Sequence, residues 1–114
     1  MLVHEFGIIQ NMEDSKSKIG YEPQRYQCIS VDDEMVTGLY EQLSIMKTYF
    51  HTLARPEFGL AYHGITIIPP ESLSVFYDVV TTSTLYKKSN ELNELATKIR
   101  TALEGRKYMI HFGI

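Results

Sequence analysis

The segment Tyr108 to Ile114 constrains this chain more than any other, because Tyr108, Ile110, Phe112 and Ile114 recur at every second position. That period puts four apolar side chains on one face of a pleated strand, and a segment so apolar is expected to be paired inside a sheet. Leu2 to Gln10 reads as a second strand. Its His4-Glu5-Phe6-Gly7-Ile8 echoes His111-Phe112-Gly113-Ile114. We read the echo as chance, since nothing around it matches and true repeats recur over tens of residues.

With 114 residues, 44% apolar and 22% charged, the chain reads as a single globular domain over 1–114, long enough to bury one core. Its apolar runs are short, as in Ile65 to Ile68 broken by Thr66, so no membrane span is expected. His4 and Glu5 stand where a secretory signal would need a basic stretch and a long apolar block, and the expected location is cytoplasmic. One cysteine, Cys28, forms no internal disulfide and no thiolate metal framework, and reads as a small buried side chain. A net charge of −3 argues against a nucleic-acid binder. Eight tyrosines against no tryptophan suit residues lying half-buried over a sheet, and equally the rim of a protein interface.

Between the strands, Asn11 to Gln24 is polar, holds Gly20 and Pro23, and reads as a mobile loop over 11–24 anchored by Ile19 and Tyr21. Strand character resumes over Arg25 to Val31. Ser30 with Asp33 resembles a capping box, and Asp32, Asp33 and Glu34 place negative charge at a helix start. Val36, Leu39, Leu43, Met46, Phe50 and Leu53 then step by three and four, which predicts a helix of about five to six turns closed by Arg55-Pro56. Phe58 to Ile68, apolar on both faces, reads as a third, central strand. Pro69-Pro70-Glu71-Ser72 marks a helix entry. The residues that follow suit either a helix, through Leu73, Phe76, Tyr77 and Val80, or a strand, through their β-branched members; the entry signal favours helix. Ser89 caps a last helix with the stripe Leu92, Leu95, Ala96, Ile99 and Leu103, ended by Gly105. The expected order is β-β-α-β-α-α-β. We expect an α+β (or small α/β) fold with a mixed four-stranded sheet and helices packed on it.

Chemistry is sparse. His4, His63 and His111 fall in expected strands and His51 near the end of the long helix, but no spacing motif brings two of them together, so no metal site is expected. No nucleophile elbow or phosphate-binding glycine loop is present, and no cofactor is expected. The acidic run Asp32-Asp33-Glu34, even with Glu13 and Asp14, is explained by helix capping. Two function classes follow. The first is a non-catalytic protein-binding module, such as a small regulator, an inhibitor or immunity-type partner, or a self-associating dimer subunit. Its contact surface would include Asp32, Asp33, Glu34, Val75 and Val79, the valines lying opposite the first face of the helix after Pro70. The second is a small enzyme or ligand-binding domain with a pocket at strand ends, using Tyr62 with His63 or His111.

Overall fold

The computed structural model describes residues 2–11 and 21–114, and these form one α+β domain. Six strands build a single sheet: β1 (Val3–Ile9), β2 (Ile29–Asp32), β3 (Lys47–Phe50), β4 (Pro56–Phe58), β5 (Ile65–Ile68) and β6 (Tyr108–Phe112). Their spatial order is β2-β1-β6-β5-β3-β4, and every neighbouring pair is antiparallel. The expected sheet was mixed and four-stranded. The correction has a simple cause. Between β5 and β6 the chain runs through two helices, α3 (Leu73–Thr82) and α4 (Asn90–Glu104), which pack on each other. One helix returns the chain for a parallel strand, whereas a helical pair crosses the sheet twice and delivers the next strand antiparallel.

The expected long helix is also corrected. The chain forms α1 (Asp33–Thr37) and α2 (Tyr40–Leu43), then turns into β3 and β4. Val36, Leu39, Leu43 and Met46 are buried as the helical spacing requires, but Thr48 points into the protein and donates to the Gly59 carbonyl at 2.7 Å. The expected third strand over Phe58 to Ile68 divides into β4 and β5, joined through Gly64 at φ 95°, a left-handed turn position. Arg25 to Val31 likewise splits into a 3-10 turn, Pro23–Tyr26, and the strand β2. Helix is confirmed after Pro70 and after Ser89, whose hydroxyl accepts the Leu92 N–H at 3.1 Å. The expected loop over 11–24 falls mostly on residues 12–20, outside the described residues; Tyr21 packs edge-on against Phe112 and donates to Glu5.

Alternation sorts the sheet into two faces. Phe6 and Ile8 of β1, Met109 of β6 and Ile68 of β5 face the helices and join Leu73, Phe76, Val80, Leu92, Leu95 and Ile99 in the main core. Ile9, Ile67, Ile110 and Phe112 form a second cluster on the other face with Tyr26, flanked by Tyr49 and Tyr108. The half-buried tyrosines of the sheet are therefore gathered on the face away from the helices. The register Phe6↔His111↔Thr66 forms one transverse row on the helix face. That row positions the site described next.

Candidate functional site

His111 is central in its row and its ring lies against that of Phe6, 4.8 Å between centroids. Its cross-strand neighbour on β5 is Thr66, with 3.1 Å between His111 Nδ1 and Thr66 Oγ1. His4, two residues before Phe6 and thus on the same face, reaches His111 diagonally: its Nδ1 lies 2.8 Å from His111 Nε2 and the rings stack. The other edge of His4 meets α1, where Nε2 lies 2.8 Å from Asp33 Oδ1. Both histidines have no exposed surface. Four elements, α1, β1, β6 and β5, are thus joined by one buried polar chain.

The protons on this chain follow from its ends. Thr66 Oγ1 accepts the Ala61 N–H at 2.9 Å, so its hydroxyl proton is left to donate to His111 Nδ1. His111 then carries its proton on Nε2 and donates to His4 Nδ1, and His4 donates from Nε2 to the Asp33 carboxylate. Each donor has one acceptor, the condition for polar groups to be buried cheaply. Burial first, and then the electrostatic influence of the neighbouring His4 ring, pulls the His111 imidazole down to about 3, which keeps it neutral.

At the outer end Asp33 is only partly shielded, its side chain 19% exposed. Tyr62 donates to its Oδ2 at 3.2 Å, so both carboxylate oxygens are held from the protein side. Burial, then the hydrogen bond to Asp33 and its charge, raises the Tyr62 phenol above its ordinary value. Tyr40 packs edge-on against His4 and Tyr62. Its phenol is raised too, by burial first and the Asp33 charge next, and its hydroxyl is buried without a hydrogen-bond partner among the described residues.

Asp33 was expected to cap a helix with Ser30. Instead Ser30 lies in β2, the residue preceding α1 is Asp32 with no side-chain cap, and Asp33 serves the histidine chain. The expectation that no two histidines meet is corrected as well. His4 and His111 are 107 residues apart, and only sheet register joins them. The faint signal was the His4/His111 echo itself, since its two copies lie in neighbouring strands. His63 is not brought to His111; it is exposed on the β4–β5 connection, 3.1 Å from the Ile114 carbonyl oxygen. No three metal-binding side chains converge on a point among the described residues, and no described helix is long and apolar enough to cross a membrane.

Around α1 the surface is hollowed at both ends. A depression of about 310 Å³ is lined by Leu2, Asp32, Asp33 and Glu34. A groove of about 260 Å³ runs between the turn after α1 and the end of α3, with Gly38, Leu39, Gln42, Val79 and Thr82 on its walls. Val75 and Val79 are half-buried and pack against the main core. A wider depression of about 480 Å³ lies between Ile8, Ile29 and α4, bridged by Lys98 donating to the Gln27 carbonyl at 2.8 Å. Comparison with protein-family models, curated proteins and solved structures finds no match to this chain.

Proposed function

We propose that the protein is a non-catalytic protein-binding module acting in the cytoplasm. Its contact surface follows α1 from the acidic depression at Asp32, Asp33 and Glu34 to the groove beside Val79, with Val75 on the same helix behind it. One observation supports this above others. All four imidazole nitrogens of His4 and His111 are engaged inside the protein, while the same chain holds the Asp33 carboxylate rigidly at the surface. Neither ring offers a free base to a substrate, and a carboxylate fixed from behind loses little freedom when a partner's basic side chain binds it. The alternative, a pocket using Tyr62 with His63 or His111, keeps only Tyr62 and His63, whose rings meet edge-on at 4.8 Å, because His111 is enclosed.

The test uses the full chain as bait in source lysate, with light scattering across a concentration series for self-association. Glu34→Lys reverses an exposed charge and Val79→Asp charges the groove. A partner, or a second copy, retained by the parent chain and lost with both variants is the expected outcome. A monomer that captures nothing the variants fail to capture would overturn the proposal.

A further inference from the structure

One backbone turn leaves an edge of β1 open on the helix side of the sheet. β2 begins only at Ile29, opposite Phe6, so β1 runs on through Ile8 and Ile9 with no strand on that edge. Gln27, in the left-handed region at φ 51°, brings the chain in from the other sheet face. There Tyr26 belongs to the second cluster, and Tyr26 and Cys28 close over Gly7. On the helix face the gap is bordered by α4, and Ile8 and Ile29, which pack against the main core, form its floor. The resulting cleft of about 480 Å³ falls within the roughly 300–1,000 Å³ range of small-molecule sites. It shares no lining residue with the surface that follows α1.

The polar groups around this cleft select the charge of an occupant. Asn93 spends both amide hydrogens on the Tyr86 and Ser89 carbonyls, and Thr97 and Thr101 donate back to the carbonyls of Asn93 and Thr97. Lys98 is therefore the ready donor on the α4 wall. Its ammonium carries three hydrogens. One goes to the neutral Gln27 carbonyl at 2.8 Å, and the group makes no ion pair among the described residues. Glu94, one turn earlier on the same wall, is exposed and is not paired with it. At the Gln10 end Lys107 likewise holds only a neutral carbonyl, at 3.0 Å. We propose that the cleft between β1, β2 and α4 binds a medium-chain monocarboxylate, with its chain over Ile8 and Ile29 and its carboxylate on Lys98. A carboxylate supplies the counter-charge that Lys98 lacks and takes its remaining hydrogens in charge-assisted bonds. The isoleucine floor takes an alkyl chain out of water.

The experiment titrates the full nitrogen-15-labelled chain with sodium octanoate below its micellar concentration, and with 1-octanol and octylammonium as controls of equal length. Amide shifts are the readout. The Ile8, Ile29, Thr97 and Lys98 amides should move together along one saturating curve, while those of Glu34 and Val79 stay in place. Octanoate should bind about fivefold tighter than 1-octanol, the contribution of a partly exposed ion pair, and octylammonium should bind weakest. Lys98→Arg should keep this order. Lys98→Met should bring octanoate down to the level of 1-octanol and leave 1-octanol unchanged. Thr97→Trp, which fills the cleft from an exposed helix position, should block both. Binding of 1-octanol as tight as that of octanoate, a preference that survives Lys98→Met, or shifts centred away from the cleft would each overturn the proposal. So would movement of the same amides on diluting the protein alone, the sign of a second copy in the cleft. If Lys98→Met does not fold, the ranking of the three ligands by the unsubstituted chain decides the matter.

Discussion

Acidification should weaken the fold through residue 111 by an amount set by its burial. The His111 ring has no exposed surface, and its imidazole is pulled from an ordinary 6.5 to about 3. An unfolded chain takes up a proton on this ring near pH 6.5, whereas the folded protein resists it until about pH 3. This contribution is therefore fully present above the unfolded value and is lost as pH falls toward the folded one. At about 1.36 kcal/mol per pH unit, acidifying to about pH 4 removes on the order of 3 kcal/mol. That is a large share of the roughly 5–15 kcal/mol that holds an ordinary domain together. Urea unfolding followed by circular dichroism at about pH 7, 5.5 and 4 measures it. Carboxylates titrate in the same window, so the comparison is with His111→Gln, which keeps a polar amide and does not titrate. The parent chain should be the more stable at neutral pH, and its advantage should shrink by about 3 kcal/mol on acidification. An advantage that stays constant within about 0.5 kcal/mol across the range would refute the reasoning.

Three further outcomes are expected. Tyr40→Phe removes a buried hydroxyl that has no partner among the described residues, and the variant should unfold at an equal or higher temperature, with a gain of up to about 1 kcal/mol. Gly113→Ala would set a Cβ 2.8 Å from the Ala61 carbonyl oxygen; the backbone must shift, and denaturant titration should show a loss of about 2 kcal/mol or more. The Cys28 thiol is pushed up to about 12 by burial first and Glu5 second, with Lys98 opposing. Alkylation near pH 8 should therefore run about a hundredfold or more slower than for a free thiol, and an ordinary rate in the folded protein would contradict this.

The parts of the fold legible in the sequence were those where local preference and tertiary burial agree. The alternation from Tyr108 specifies β6, and Ser89 with the stripe from Leu92 to Ile99 specifies α4. Over 33–55 they disagree. Val36, Leu39, Leu43 and Met46 carry a true helical spacing, and its continuation through Phe50 and Leu53 is coincidental, because Lys47-Thr48-Tyr49-Phe50 joins the sheet. Nothing local separates a stripe that continues from one that stops after α2. The histidine chain was hidden for a different reason. Motif spacing finds ligands and bases that share one element, whereas His4 and His111 meet only because β1 and β6 pair, a nonlocal choice made by the whole sheet. Asp33 was assigned to its helix on spacing that fits a cap, and the structure uses it across the domain instead.

The pairing of β1 with β6 also sets an order of events during synthesis. β1 leaves the ribosome first, yet its neighbour toward the sheet centre begins only at Tyr108. At roughly 5–20 residues per second, Phe6, Ile8 and Ile9 wait about 5–20 s for that partner. Over this interval β2 can pair with only one edge of β1, and the other edge stays open with its apolar side chains uncovered. The sheet therefore closes from its middle, where β6 enters between β1 and β5, rather than growing outward from its first strand.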